Sequence, residues 1–507
     1  AAAAGAILYA LFGTCKQIAT GPSSALAAVA GSAVALASVS DDEAVELVAA
    51  ITLVTGLLFL LLAIFRMGWI SHFLSKAVIT GFLFGAAIEV VVGELPKLTG
   101  TEAEGDNSWQ KFGDWLSGLD GTDGATLVVG LVSLAVVVGI RFSPIKVPGA
   151  LVLVIGGLIA SVAFGFDDRG IALVGDVPRG MAAPSLPSLS FITDNLSTIV
   201  PAAVGLLLIG FSQTAGDARS FASKHQYQID IDQESVAEGM ANIGSGVVQG
   251  IPVSTSLSAS SLNDESGAKT QLASLTTGIL IVLTLLLLAP IFSELPNPVL
   301  GALIIDAVVF GMMDVAEMKR LYRVARVDFW IAMAAILGVL TAGVLAGVII
   351  GVLLSLGWLV YIASNPNMPV LGRRADTQVF RSLEDYPEGE TYPGMLIMRF
   401  DAGLFFASSD ALEDRLRELA QEADPKIDTI VLSFEGIDFI DSQGSDTLAQ
   451  ILELASVYGA ELRLARVKPP VLDLLQRDGV IDTLGQDHVY GNVYEAAEDR
   501  IPKHRDS

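Results

Sequence analysis

The 507-residue chain is 52% hydrophobic and only 17% charged, with 55 acidic against 30 basic residues and a formal net charge of −25. This composition points to a membrane protein and argues against a nucleic-acid binder, because phosphate recognition needs clustered Lys and Arg. A lone cysteine, Cys15, and four histidines without zinc spacing argue against a disulfide or structural-metal scaffold, and no cofactor is expected. The chain opens at Ala1 inside an apolar stretch, with no initiator methionine, basic leader or cleavage site, so part of its N-terminal segment is expected to be missing.

In chain order the first signal is an interruption. Ala19-Thr20-Gly21-Pro22-Ser23-Ser24-Ala25 breaks the apolar pattern, and the small-residue helix expected at 26–38 is too short to span a bilayer. Apolar segments of spanning length follow near 44–65, 70–95, 124–141, 148–166, 195–216, 233–250, 269–292 and 297–313. The stretch 328–362 has no charge after Asp328, and at ~1.5 Å per residue one helix would overshoot the bilayer. Two helices turning near Thr341-Ala342-Gly343 are expected.

Basic residues sort to alternate ends: Arg66 and Lys76, Arg141 and Lys146, Arg219 and Lys224, then Lys319, Arg320, Arg323 and Arg326. The positive-inside tendency makes that side cytoplasmic. The acidic loop 99–123, with Glu102, Glu104, Asp106, Asp114, Asp120 and Asp123, then faces outward.

Near the end of the 195–216 span, Gln213 and Asp217 are four residues apart and share a helical face. An ionisable group there is either functional or an interfacial partner for a cation such as Arg219. Glu89, Glu94 and Asp306 are read as packing or interfacial residues. A second interruption follows at Gln249-Gly250-Ile251-Pro252-Val253-Ser254-Thr255-Ser256-Leu257-Ser258, with a short helix expected to about Asn263. Each interruption has Gly and Pro, then hydroxyl residues, then a short helix. Ordinary Pro kinks would account for either alone. As a pair they suggest inverted repeats whose half-helices meet near the midplane and bind an anion through free N-terminal amides.

Beyond Asn365-Pro366 the pattern becomes soluble α/β. Strands are expected at 395–400, 429–434 and 461–465, with amphipathic helices at 409–423 and 442–457. The resulting division is a transmembrane domain 1–363, a linker 364–392 and a second domain 393–507.

Three stretches resemble the SulP family of anion permeases: Tyr9 to Lys16 followed by Gly21-Pro22, Gln233 to Asn242, and Gly267 to Gln271. The soluble segment from Ile430 through Asp441-Ser442-Gln443-Gly444 is similar to the signature of a STAS domain. The resemblance implies an α-helical membrane protein with fourteen segments in two inverted sevens, the first helix missing here. It also implies a core domain moving against a gate, a cytoplasmic α/β STAS domain and a homodimer. Departures occur at Cys15-Lys16, where Ser-Arg is common, at Ala259, where an arginine is common, and at Gln213, where an acidic residue is common.

The expected function is secondary active transport of a small anion, such as sulfate, bicarbonate or a carboxylate. Its expected contacts are Ser23, Ser24, Ala25, Gln213, Ser256, Leu257, Ser258, Ala259 and Ser260, with Asp217 the candidate for coupling a proton or sodium ion. Ser442 is a possible regulatory phosphorylation site, although Asp441 or Ser442 could simply cap the following helix. The STAS domain could also bind a cytoplasmic protein. An anion-responsive sensor signalling through the STAS domain and an anion channel are the alternatives. A nucleobase permease shares the architecture, but the STAS domain argues against it. No nucleophile–base pair, phosphate loop or metal cluster suggests an enzyme. The acidic excess suggests either salt adaptation or a well-solvated surface.

Overall fold

The computed structural model describes residues 1–37, 39–68, 75–105, 107–144, 148–175, 180 and 183–501. The chain divides into two units, Ala1–Ser355 and Leu356–Ser507. In the first, α1 (Ala2–Phe12) leads into strand β1 (Thr20–Pro22) and the short α2 (Ser24–Ala37). Helices α3 (Asp41–Ile64), α4 (Lys76–Thr99), α5 (Ser108–Ser117), α6 (Gly124–Arg141) and α7 (Gly149–Phe164) follow. After α8 (Leu189–Asp194) and α9 (Leu196–His225) the order repeats. It runs through α10 (Ile231–Val247), β2 (Val253–Thr255), α11 (Leu257–Glu265), α12 (Leu272–Leu287), α13 (Asn297–Met312), α14 (Val315–Val324) and α15 (Arg326–Ser364).

The packing repeats as well as the order. Exchanging each element for its counterpart turns the α3–α10 contact into an α12–α1 contact, and both exist. The self-paired contacts α1–α10 and α4–α13 are also present, as an inverted repeat requires. Small residues permit this closeness: a Cβ on Gly56 would lie 2.8 Å from the Gly239 carbonyl oxygen, and one on Gly239 2.9 Å from that of Gly56. Among the described residues, seven helical segments are long and apolar enough to cross a membrane. This unit is a multi-pass membrane domain.

Several expected boundaries move. The span read at 70–95 is helical over Lys76–Thr99, capped at its start by Ser75 and continuing past Pro96. Helix α9 runs on to His225, well beyond 216, because Ala218 and Phe221 pack with Tyr9, Cys15 and Ile18, and Lys224 and His225 bond Asp264. Lys146 and Asp106 lie outside the described residues. Asp306 forms a two-point ion pair with Arg141 (2.9 and 2.5 Å) that links α13 to α6 and so serves helix packing, whereas Glu94 pairs with Lys97 one turn on within α4 at 2.9 Å.

The long segment 328–362 does break where sequence length demanded. Gly343 has φ 84° and ψ 169°, a conformation essentially reserved for glycine, and it separates two spanning arms. The Ser32 hydroxyl of α2 accepts the freed Val344 N–H at 3.4 Å.

In the second unit, strands β5 (Met395–Arg399), β6 (Thr429–Ser433), β7 (Glu461–Ala465) and β8 (Val489–Tyr490) form a parallel sheet in that order. On one face Met398, Leu432 and Leu464 pack with residues of α16 (Ser409–Glu422), α17 (Ser442–Tyr458) and α18 (Pro469–Arg477). On the other, Ile397, Val431 and Ala465 pack beneath Val493 and Ala496. Burial of both faces explains why these strands read as continuous apolar runs. Part of the stretch expected to be a linker is ordered: β3 (Leu371–Arg373) and β4 (Phe380–Ser382) form an antiparallel hairpin, and Leu371 and Tyr392 are buried against β5 and β6. Gly, Pro and charge there mark turns rather than an open tether.

Arg463 on β7 donates to Glu461 (2.8 Å), Asp499 (2.7 Å) and the Ala496 carbonyl (2.6 Å). These bonds hold the Asp499 and Glu461 carboxyls below their usual range. The stability they add is full above the unfolded carboxylate range, near pH 4, and is lost as pH falls through the depressed native values. Arg463→Met is therefore expected to lower the calorimetric melting temperature of the second unit's transition at pH 7 and to shrink its drop towards pH 3. Gly343→Ala is expected to destabilise the membrane unit by about 1–3 kcal/mol through backbone strain, read as a lower melting temperature in detergent.

Candidate functional site

The two interruptions form a two-stranded antiparallel pair, with Thr20 opposite Thr255, Gly21 opposite Ser254 and Pro22 opposite Val253. Because the strands run in opposite directions, α2 and α11 leave the pair oppositely with their N-termini adjacent to it. A strand pair inside a membrane needs every other main-chain group satisfied from within the protein. The motifs quoted above supply those partners. Asn242 donates to the Val253 carbonyl (2.9 Å) and accepts the Val253 N–H (3.1 Å), acting as a third strand beside β2. Glu234 accepts from the amides of Thr14 (2.7 Å) and Cys15 (2.8 Å) and from the hydroxyls of Tyr9 and Thr14. Gln271 donates to the carbonyls of Cys15 and Ile18, and Ser274 to Ile18 at 2.8 Å. All three stretches that resemble the SulP family thus converge on the approach to β1.

Helix α9 grips β2 from the other side. Gln213 accepts the Ser254 hydroxyl at 3.1 Å and Asp217 the Thr255 hydroxyl at 2.8 Å, so the shared helical face engages consecutive strand residues. Among the described residues Asp217 has no ion pair, which removes the reading that it pairs with Arg219.

A cavity of about 360 Å³ opens at this junction. Pro22 and Ser23 line it from the first half-helix, Thr255, Ser256 and Leu257 from the second, and Gln213 and Asp217 from α9. Leu83 of α4 and Ala307, Gly311 and Met312 of α13 form an apolar opposite wall. Each half-helix terminus carries a partial positive charge equivalent to roughly half an elementary charge. The site therefore offers an anion main-chain N–H groups, hydroxyls and one amide side chain, with no lysine or arginine among the lining residues.

Of the expected contacts, Ser23, Gln213, Ser256 and Leu257 line the cavity, and Asp217 lines it beside them. Ser24 and Ala25 begin α2 and Ser258 lies in the first turn of α11, with their side chains outside the described set. Two expectations need correction. Ser260 is fully buried; its hydroxyl accepts the Ala19 N–H at 2.9 Å and its own amide bonds to Ser256 O at 2.8 Å. The Ala259 amide goes to the Ser256 hydroxyl at 3.3 Å. Both amides are consumed within the helix turn, because an N-cap serine and the first helical bond claim them. Thr255 and Leu83 were missed: Thr255 sat in the quoted motif without a partner to suggest it, and Leu83 carries no local signal. In the second unit Asp441 caps α17 through Gly444 N–H at 2.8 Å, leaving Ser442 exposed on its first turn.

The fold is that of a membrane transporter with two crossed half-helices and an appended α/β domain. The sulfate permease family model matches residues 1–335, and a STAS domain model matches 386–496. The chain belongs to the sulfate permease family. It is 30% identical to a probable sulfate transporter of Mycobacterium tuberculosis, covering 97% of this chain and 87% of that one. It is also 30% identical to probable sulfate transporter 4.2 of Arabidopsis thaliana, over 97% of this chain and 74% of the relative. Among solved structures, the murine anion transporter Slc26a9 shares the fold at TM-score 0.88 and 21% identity, covering 98% and 86% of the two chains. The transmembrane domain of the cyanobacterial bicarbonate transporter BicA matches at TM-score 0.59 and 20% identity, over 70% of this chain and 88% of that one.

The double grip of Asn242 predicts a measurable dependence. Asn242→Ala leaves a buried N–H and a buried carbonyl of Val253 unpaired, at about 1–3 kcal/mol each. The melting temperature of the purified protein in detergent is expected to fall by several degrees, whereas Ser261→Ala, outside these contacts, stays near the parent value.

Proposed function

We propose that this protein is a secondary active transporter of a small oxyanion, sulfate being the first candidate because two relatives 30% identical to it are named as probable sulfate transporters. The observation that carries this reading is the cavity enclosed by the start of both half-helices, lined by hydroxyls and an amide and lacking a fixed cation. Main-chain N–H groups at a helix N-terminus bind an anion without a formal counter-charge, and can release it again. The wall formed by α4 and α13 belongs to the outer elements of each repeat. Movement of the half-helix core against that wall would open the cavity to alternate sides. Asp217 beside the anion needs a cation to offset its charge, which makes it the coupling-ion candidate. The STAS domain is cytoplasmic in this reading, by the sorting of basic residues, and a homodimer is the expected assembly. The exposed Ser442 is a candidate for regulatory phosphorylation.

The test uses radiolabelled sulfate uptake and sulfate affinity in proteoliposomes. Ser24→Asp and Ser258→Asp place a carboxylate where the anion's charge belongs and are expected to abolish both. Ser258→Ala should weaken binding by only about 1 kcal/mol, the size of a typical hydrogen bond. Near-parent transport by both Asp variants would remove the half-helix site. Large unitary currents instead of saturable uptake would favour a channel, and binding without flux a sensor.

A further inference from the structure

One buried carboxyl is used by none of the contacts above. Glu238 lies midway between Glu234 and Asn242 on the same face of α10, fully enclosed, with its Oε2 lacking any hydrogen bond. Its other oxygen is 3.5 Å from the Asn242 amide nitrogen. The groups that face it are Asp217 and Thr214 of α9, Glu234 and Asn242 of its own helix, and Tyr9 of α1. Helix α3 presents Gly56 and Leu60 to this part of α10, near Gly239. No salt bridge reaches Glu238 among the described residues. The Thr214 hydroxyl opposite is itself buried without a hydrogen bond.

The charge balance of the junction gives this arrangement a consequence. The two half-helix termini supply roughly one positive elementary charge between them. Asp217, Glu238 and Glu234 would together oppose it with three negative ones. Glu234 is saturated by four donors, two of them main-chain amides, and is fixed in place. Glu238 has no main-chain donor and no cation, only the neutral side chains of Thr214 and Asn242 beside it, and a charge so weakly compensated in so enclosed a position is costly. A protonated carboxyl there would instead donate a hydrogen bond to the Thr214 hydroxyl oxygen beside it.

We infer that Glu238 is a proton-binding site linked to the anion site, outside the cavity lining but electrostatically coupled to Asp217, which lines it. The inference rests on the half-helix reading of the anion site. Anion and proton then bind together, because each lowers the electrostatic cost of the other. The proton passes from water in the cavity to the Glu238 carboxylate and returns when the anion leaves, so no bond other than O–H is made or broken.

The experiment measures sulfate affinity between pH 5.5 and 8.5, and proton uptake on sulfate addition in weakly buffered solution without sodium. Purified full-length protein, Glu238→Gln and Asp217→Asn are compared. The parent protein is expected to take up protons on binding and to lose affinity about tenfold per pH unit on the alkaline side. Glu238→Gln should keep its affinity at pH 5.5 within a few-fold, lose the pH dependence and take up no proton. Asp217→Asn should still take up a proton. A parent protein that binds sulfate with no proton uptake overturns the proposal without needing any variant to fold. So does a monodisperse Glu238→Gln protein with the parent pH profile, or loss of proton uptake in Asp217→Asn alone. Failure of the anion site itself shows separately, as Ser24→Asp binding sulfate normally at every pH.

Discussion

Two short stretches of non-helical main chain lie inside a membrane domain, and the rest of the first unit is organised around satisfying them. Lipid offers no hydrogen bonds, so irregular backbone survives at that depth only where protein supplies every partner. Pairing β1 with β2 satisfies one edge of each strand. Val253 of β2 and Cys15, Ile18 and Ala19 ahead of β1 are met by side chains of Asn242, Ser260, Gln271 and Ser274. The same contacts that close the backbone ledger orient the two half-helices, so structural satisfaction and site geometry are one arrangement.

In the proposed reading, that arrangement lets an acidic protein present a site for an anion. The recognition elements are dipoles fixed by the fold, whereas the formal charges nearby, Asp217, Glu234 and Glu238, are all negative. A lysine or arginine in the cavity would bind an anion more strongly and release it less readily. Main-chain dipoles offset by carboxyls leave a balance that a single proton or cation can tip, which suits a carrier that must load and unload in each cycle.

Elsewhere the structure shows how little sequence is needed to punctuate a membrane domain. A single residue, Gly343, turns a 39-residue helical run into two spanning arms, because its φ of 84° is unavailable to other residues without strain. The break lies against Ser32 of α2, whose hydroxyl accepts the Val344 amide freed there. In the second unit the same economy appears in Arg463, which joins the sheet to the C-terminal segment through three separate acceptors.

Much of this was legible from residues alone. Apolar run length located most of the spans, although α7, α10 and α12 are shorter than the expected 148–166, 233–250 and 269–292, at 16, 17 and 16 residues, and the excess length of 328–362 forced a break at the correct glycine. Gly, Pro and hydroxyl clusters marked both half-helices, and continuous apolar runs marked β5, β6 and β7, since these are consequences of local composition and period. What the sequence could not show is which partner each group finds. Ser260 and Ala259 read as site residues because they follow the motif, yet the tertiary structure commits one to Ala19 and the other to Ser256. Glu234, Glu238 and Asn242 share one helical face at identical spacing, but Glu234 meets four donors, Asn242 a strand, and Glu238 an orphan hydroxyl. Those fates depend on elements more than two hundred residues away along the chain for Tyr9 and Thr14, and a periodic pattern carries no information about contacts at that separation.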